Sequence, residues 1–472
     1  MNSVEGLDKR AAEDLGRLLG PRFVTSGSVR DQHGRDESPL PPASPDAVSF
    51  PNTTAEVVEI VRICSRYSVP VIPFGAGTSL EGHVLATSGG LSLDLSNMNR
   101  IVAVNVDDLD VTVEAGVTHG ALNHRLARDG LFFPVDPGAD ATLGGMAATG
   151  ASGTTTVRYG AMRENVLGLK VVLADGRVIE TSRRARKSSA GYDLTRLFVG
   201  SEGTLGVITE VGLRVYGIPE AIAGATCHFG DVASAVRAVI ATLQVGIPVA
   251  RIEFLDELAL EAINRYSDLA YPIAPMLLIE FHGSPDGVAE QAGQVGDIVA
   301  EFGAIDYRSA VDREERTKLW NARHDSFYAS LSLRPGARAI TTDVCVPISR
   351  LAECIVETRR DIDAGSLTAT IVGHVGDGNF HVMFLVDPAD PKEITAAEKL
   401  GSRLVDRALE MEGTCTGEHG IGLRKIGFLE KELPEAINVM RSIKKALDPH
   451  NIMNPGKVLK SSLSHKGSVP NP

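Results

Sequence analysis

The sequence predicts an α+β protein of at least two domains, and three observations carry that reading. A chain of 472 residues is too long for one ordinary hydrophobic core. Its first half mixes short strands with a few helices around glycine-rich turns. From about Pro219 the pattern changes to strand-like pieces alternating with helical stretches, a second layer of separate α/β character.

Taken in order, residues 4–19 carry leucine and alanine at helical spacing and predict an amphipathic helix. The Pro-, Ser- and charge-rich DQHGRDESPLPPASP that follows reads as loop. Thr53-x-x-Glu56 is a capping box that opens a helix to about Arg66, which feeds the strand VPVIPF. After that strand comes Gly75-Ala76-Gly77-Thr78-Ser79-Leu80-Glu81-Gly82-His83. Glycines at a strand end let backbone N–H groups turn toward an anion, and Thr78 and Ser79 add hydroxyl donors, so this is a candidate phosphate cradle. No apolar helical pattern follows it, which disfavours a nicotinamide Rossmann site.

LDVTVEAG is another strand, residues 118–128 a helix, and VLGLKVVLADGRVIE a hairpin about Asp175-Gly176. Between them lies FFPVDPGADATLGGMAATGASGTTTVRYG, poor in lysine and glutamate and dense in small residues. It reads either as a glycine-rich surface loop or as backbone packed closely against a large flat ligand. In the second half, strands at ATCHF, RIEFLD, MLLIEFHG and AIDYRSA alternate with helices near 231–244, 257–266, 286–302 and 311–329. Helices near 393–410 and 430–447 follow, the last stopping at Asp448-Pro449. The expected domains are 1–218, 219–410 and a C-terminal segment 411–460, with a disordered tail over 461–472.

The formal net charge is −13 and no basic stripe is present, which argues against nucleic acid as a partner. Five scattered cysteines without CxxC spacing suggest neither a disulfide framework nor a sulfur-ligated cluster. Cys415, three residues before Glu418, reads as a small buried hydrophobe or as a metal thiolate. The N-terminal stretch has no apolar h-region and no segment approaches 18 uninterrupted apolar residues. The expected location is the cytoplasm, with surface association at the inner face of the membrane as the remaining membrane role.

The chemistry is densest in TATIVGHVGDGNFHVMFLV (368–386), two strand-like runs about an Asp377-Gly378 turn. Counting outward from a two-residue turn pairs Gly376 with Asn379, Val375 with Phe380 and His374 with His381. Two imidazoles directly opposite on one face are close enough to share a small ion. The plain alternative is two histidines hydrogen-bonded near a turn. GTCTGEHGIG (413–422) adds Glu418 as a carboxylate ligand and His419 as a base, with Gly417 and Gly420 supplying the turn that brings both to one pocket. A metal-dependent hydrolase accounts for this cluster but not for the small-residue tracts. A non-enzymatic alternative is a subunit that merely scaffolds an electron-transfer complex and turns over no substrate.

PFGAGTSLEGH, FPVDPGADATLGGMAATGASGTTTVRYG, LFVGSEGTLGVITE, WNAR with TTDVCVPIS, GHVGDGNFH and GTCTGEHGIG occur in one order from PNTTAEVVEIV to MNPGKVL. In this the chain resembles the FAD-dependent D-2-hydroxyacid dehydrogenases of the vanillyl-alcohol-oxidase-like superfamily, most of all the cytochrome-linked D-lactate dehydrogenases and the D-type flavin subunit of glycolate oxidase. The resemblance implies a two-subdomain FAD-binding fold of the vanillyl-alcohol-oxidase type with a separate α/β substrate (cap) domain. It implies non-covalent FAD held by Pro73, Gly75, Ala76, Gly77, Thr78, Ser79, Gly82, His83, Pro137, Gly138, Thr142, Gly144, Gly145, Ala148, Ser152, Gly153, Gly203, Gly206, Ile208 and Asn454. It further implies a divalent metal, zinc-like in such relatives, on His374, His381 and Glu418, with His419 as base. Arg323 receives the substrate carboxylate, Arg338 is a second candidate for it, and Asn379 shapes the turn or touches substrate. The implied reaction is hydride transfer from C2 of a D-2-hydroxyacid to flavin N5, with D-lactate to pyruvate first and glycolate or D-2-hydroxyglutarate as alternatives. Electrons pass to a separate cytochrome, quinone or electron-transfer flavoprotein, and a homodimer is left open.

Overall fold

The computed structural model describes residues 6–310 and 313–460, which divide into two compact units. Among the described residues, the first holds the chain to Ser152, Gly160–Ile218 and 418–460; the second holds Gly153–Tyr159 and Pro219–Gly417. The main crossing lies at Ile218/Pro219, where the sequence pattern changes. The return lies at Gly417/Glu418 and not at residue 411, because Thr414 pairs with Cys345 and the Thr416 hydroxyl donates to Asp343. Gly153–Tyr159 is an unforeseen excursion: Arg158 donates to the Pro248 and His282 carbonyls and the Tyr159 hydroxyl bonds the His282 ring. The tail expected over 461–472, and 311–312 of the expected helix 311–329, lie outside the described residues.

The first unit carries β1 (Phe23–Val24), β2 (Ala47–Ser49), β3 (Val71–Phe74) and β4 (Leu91–Asp94), in the order β1-β2-β4-β3, with β2 and β3 parallel to β4. Beyond them come β5 (Ile101–Asn105), β6 (Asp110–Glu114), β7 (Leu131–Phe132), β8 (Val166–Val172), β9 (Val178–Glu180), β10 (Val207–Arg214) and β11 (Tyr216–Gly217). Five of these form an antiparallel sheet, β5-β6-β10-β8-β9, and β7 pairs with β11. The helix Thr54–Tyr67 packs Val57, Ile60, Val61 and Cys64, all fully buried, into one apolar cluster with β3 and β4. The Thr53 hydroxyl caps it at Glu56 N, but the Glu56 carboxylate takes Asn52 N and Arg22, so only half of the expected capping box forms. The small-residue tract is not a loop throughout: Leu143–Thr149 is a helix, with the Thr142 hydroxyl accepting from Gly145 N. The expected helix 430–447 breaks into Ile426–Glu432 and Ala436–Leu447, Pro434 having no N–H to continue the ladder. Met453 bridges to Val71 and is fully buried, which ties the C-terminal segment to β3.

The second unit is one antiparallel sheet of β12 (Ala221–His228), β13 (Val249–Leu255), β14 (Met276–Gly283), β15 (Ile305–Ala310), β16 (Arg338–Thr341), β17 (Val344–Cys345), β18 (Thr368–His374) and β19 (Asn379–Val386). Its order is β15-β12-β14-β13-β18-β19-β16, with β17 also on β19. One face is closed by helices Glu257–Ser267, Arg313–His324 and Ser326–Ser332, whose Leu260, Ile263, Trp320 and Ala329 cluster with Leu255, Leu278 and Val372. The expected single helix 311–329 is interrupted at Asp325.

Asp256 links this fold to pH. Its carboxylate caps the helix Glu257–Ser267 by accepting from Ala259 N at 2.8 Å, yet the residue is only 3% exposed. Burial raises its pKa to about 7, against the lowering effect of its hydrogen bonds and of Arg359. A folded pKa above the unfolded one contributes stability below about pH 4 that is lost as pH rises through 7, here up to about 4 kcal/mol. Asn caps a helix as well as Asp does. Asp256→Asn is therefore expected to melt above the parent at pH 8 and with it at pH 4, as thermal melts at both values test; equal melting at pH 8 contradicts the assignment.

Candidate active site

The first unit contains a cleft with about 1260 Å³ of space including its open mouth, far more than a three-carbon acid fills. Of the twenty residues expected at the cofactor, seventeen line it: Pro73, Gly75 to Ser79, His83, Pro137, Thr142, Gly144, Gly145, Ala148, Ser152, Gly203, Gly206, Ile208 and Asn454. Gly82, Gly138 and Gly153 do not. Gly82 has φ +82°, and a Cβ there would sit 2.6 Å from Leu40, so packing accounts for it. Gly153 belongs to the second unit, its N–H taken by the Thr156 hydroxyl.

The cleft fits a flavin dinucleotide in its donor chemistry. Glycines and the Thr78 and Ser79 hydroxyls line the end of β3, while Leu95, Ala115, Met146 and Ile208 supply apolar surface. Backbone approaches closely around it: a Cβ on Gly144 would lie 2.5 Å from that of Ala115, and one on Gly206 2.8 Å from the Val172 carbonyl. Phe74, Leu80, Leu95, Ala115 and Glu202 line the same space without having been singled out in the sequence.

Glu418 and His419 both face this cleft, the bend at residues 417–419 having turned adjacent side chains to one side. Glu418 Oε2 accepts from the Ser152 hydroxyl at 2.9 Å, and its Oε1 is 3.7 Å from His419 Nε2. His419 Nδ1 lies 3.5 Å from Oε1 of the fully buried Glu81. Burial works to raise the Glu81 pKa, but Lys425 at 3.3 Å, His419 and Arg424 at 3.1 Å outweigh it and hold the carboxylate ionised. The turn itself is pinned by Glu202, whose two oxygens accept from Ile421 N at 2.6 Å and Gly422 N at 2.8 Å. Glu202 also faces His83, Nε2 to Oε2 3.2 Å. Burial lowers the His83 pKa, but Glu202, Glu81 and Asp36 together outweigh it and the net shift is upward. Sequence order gives no sign that Glu81 and Glu202 serve a turn more than 200 residues away.

In the second unit the histidine hairpin differs in register from the expected one. His374 opposes Asn379 and Val372 opposes His381, because residues 375–378 form a four-residue loop in which Asp377 N donates to the His374 carbonyl. A shift of two residues keeps every side chain on its face. The imidazoles are therefore diagonal neighbours on one face, ring centroids 5.4 Å apart and planes at 81°. Both are buried, at 8% and 6% exposure. His381 Nδ1 is 3.1 Å from the Thr342 carbonyl and His374 Nδ1 2.7 Å from Glu253 Oε1. A carbonyl or carboxylate accepts only, so each Nδ1 donates; in the neutral imidazole this leaves the lone pair on Nε2, the tautomer a metal requires.

Glu253, on β13, is the residue the sequence reading missed. It is wholly buried, and Oε2 accepts from Arg323 Nε at 2.9 Å and NH2 at 2.7 Å. Arg323, which helical pattern alone would leave in solvent, is thereby drawn inward, its side chain 11% exposed. Asn379 donates to Asp343 Oδ1 and the Val344 carbonyl, both at 2.8 Å, and so anchors β17 on β19. Its Oδ1 is buried without a hydrogen-bond partner among the described residues. Arg338 is not brought to the histidines: it opposes Val386, five residues along β19 from His381 and on the other face, roughly 17 Å away at strand rise.

Residues 45–182 match the family described as "FAD binding domain", and residues 218–458 that described as "FAD linked oxidases, C-terminal domain". A zebrafish (Danio rerio) protein named "Probable D-lactate dehydrogenase, mitochondrial" is 52% identical, over 96% of this chain and 92% of its own. The yeast (Saccharomyces cerevisiae) "D-lactate dehydrogenase [cytochrome] 1, mitochondrial" is 39% identical over 96% and 80%, and glycolate oxidase subunit GlcD of Bacillus subtilis 36% over 96% and 97%. Among solved structures, 4-ethylphenol oxidase from Gulosibacter chungangensis shares the fold with a TM-score of 0.80 at 18% identity, covering 96% of this chain and 98% of that one. No helix among the described residues is long and apolar enough to cross a membrane. With a cleft fitted to a flavin dinucleotide and relatives matched over 96% of its length, the chain belongs to the FAD-linked oxidases, within the flavin-dependent D-2-hydroxyacid dehydrogenases of the vanillyl-alcohol-oxidase-like superfamily.

Proposed function

We propose that the chain oxidises a D-2-hydroxyacid, D-lactate to pyruvate before others, and hands the electrons to a separate cytochrome, quinone or electron-transfer flavoprotein. The observation that carries this reading is the buried imidazole pair with both Nδ1 atoms engaged, in a chain whose other unit is built for FAD. The names of the zebrafish and yeast relatives support D-lactate. When bound, FAD supplies the two-electron sink for the C2 hydride, and a divalent ion on His374, His381 and Glu418 supplies Lewis-acid polarisation of the 2-hydroxyl.

The protein's own groups do the rest. His419 takes the hydroxyl proton on its imidazole, with the ionised Glu81 behind it to stabilise the cation that forms. Arg323 receives the substrate carboxylate. Because Glu253 occupies its Nε–NH2 edge, the fork offered to substrate is the NH1–NH2 edge. Asn379 and Ser152 set the positions of neighbouring groups, and Arg338 is left out of the substrate site. The same reading places the reaction in the cytoplasm or at the inner membrane face.

Anaerobic mixing of the purified holoprotein with D- and L-lactate, glycolate and D-2-hydroxyglutarate, following flavin absorbance, tests it. Bleaching by D-lactate faster than by the others, and none by L-lactate, is the expected result. Bleaching by none of the four overturns the reading.

A further inference from the structure

Glu253 stands out because a charge at its position is costly. Its strand neighbours Ile252 and Phe254 are buried in apolar surroundings, and Leu255, two residues on along the same face, belongs to the apolar cluster under the helices. A hydrophobic residue there would serve stability better than a fully desolvated carboxylate. What the carboxylate does that an apolar side chain cannot is bond two groups at once: Oε1 to His374 Nδ1 at 2.7 Å, and Oε2 to Arg323 Nε and NH2 at 2.9 and 2.7 Å.

We propose that Glu253 is a positioning residue that holds the metal-side and carboxylate-side contacts of the substrate at one fixed separation by bonding His374 and Arg323 simultaneously. Both partners reach it from rigid elements. Phe254 opposes Gly373 across the β13–β18 ladder, which sets Glu253 beside His374 on the neighbouring strand. Arg323 lies one helical turn after Trp320, whose ring is stacked under Arg251 of the same strand at 4.7 Å, so two residues of the helix Arg313–His324 dock on two alternate residues of β13. Arg323 NH1 is steadied further by the Ser326 hydroxyl at 3.2 Å. Glu253 touches neither substrate nor cofactor in this scheme. It fixes the His374 tautomer and ring plane and presents the outer edge of the Arg323 guanidinium, so the 2-hydroxyl and the carboxylate of a 2-hydroxyacid are gripped by groups that share one anchor. Arms with a common anchor lose affinity together.

This inference rests on the proposed function, and the test separates the two. In the FAD-loaded protein, Glu253→Gln keeps shape and size, but its amide accepts on one atom and donates from the other, so it cannot accept from both partners. Expected are a roughly 10- to 100-fold weaker hold on the divalent ion, the cost seen when an orienting partner of a ligand is lost, and a rise in KM for D-lactate of about tenfold or more, with flavin content unchanged. Metal content after dialysis against a chelator, and KM and kcat measured separately, read the two arms. Arg323→Ala in the Glu253→Gln background should then add little to KM, whereas it raises KM strongly alone. The single tryptophan, Trp320, reports the helix directly: its emission should shift in Glu253→Gln if the Arg323 anchor is lost.

A variant with lower melting temperature but parental metal retention and KM makes Glu253 a structural residue and overturns the proposal. Should the parent protein hold no divalent ion, the metal part of the proposed function fails, and Glu253 is judged by KM and the Arg323 cycle alone: additive effects overturn it, non-additive ones sustain it. If Glu253→Gln does not fold, Glu253→Asp, which keeps charge but shortens reach, carries the same comparison.

Discussion

Replacing His381 by alanine is expected to strip the divalent ion from the protein and reduce turnover by more than about 100-fold, the loss ascribed to orienting partners alone, while FAD stays bound. The separation of effects follows from the architecture. His381 sits on β19 of the second unit, whereas the seventeen expected cofactor residues that line the flavin cleft belong to the first. Its Nδ1 is committed to the Thr342 carbonyl, so in the neutral imidazole what alanine removes is the Nε2 lone pair together with that bond to backbone. His374→Ala is expected to behave alike but to destabilise more, because it leaves the buried Glu253 with only Arg323. Elemental analysis, the flavin-to-protein absorbance ratio and turnover with D-lactate form the check. Full turnover without metal in either variant removes the ion from the mechanism.

How much of this was legible in the sequence depends on the range over which each feature is decided. The hairpin was visible because β-branched runs about Asp-Gly are local, and the shared face of His374 and His381 survived the error in register because that error was two residues and not one. The glycine tracts announced a close backbone approach, and the cleft lies there. What local pattern cannot give is the identity of a partner far away in the chain. Glu253 is 121 residues from His374 and 70 from Arg323, and in RIEFLD it is one charge in a strand that alternation assigns to either face. Arg323 entered only through family resemblance, since a lone arginine on a helix is solvated unless something buried calls it inward. Arg338 entered by the same route and lies on the wrong face, because alignment across a variable segment carries no register. The Thr53 capping box failed in half for a comparable reason: Arg22, remote in sequence, competes for the Glu56 carboxylate.

Gly144→Ala is expected to lose most of the bound FAD and to lower the melting temperature, although it adds one methyl group to a helix that ought to welcome it. Gly144 lies in the helix Leu143–Thr149 with ordinary helical backbone, so the added Cβ brings no conformational strain and a small gain in helix propensity. The obstacle is space. The new atom would meet the Ala115 Cβ at 2.5 Å, its carbonyl oxygen at 2.9 Å and its Cα at 3.0 Å, and two of those three are backbone that cannot rotate aside. Either the helix withdraws from Ala115, breaking the Gly144 N–H bond to the Ala115 carbonyl, or the end of β6 moves. Overpacking of this kind costs about 1–3 kcal/mol, more than propensity returns. The same displacement shifts Gly145, Ala148 and Thr149, which line the cleft, and so loosens the surface against which the cofactor rests. Gly145→Ala provides the contrast, because its Cβ would meet only the Thr142 hydroxyl, at 3.0 Å, and faces the cleft. That variant should lose FAD affinity while melting as the parent does in the absence of flavin. The absorbance ratio and melts of both apoproteins distinguish a helix pushed off its support from a ligand surface filled in. A Gly144→Ala protein that melts and binds FAD like the parent shows that the close approach at Ala115 is not what shapes the cleft.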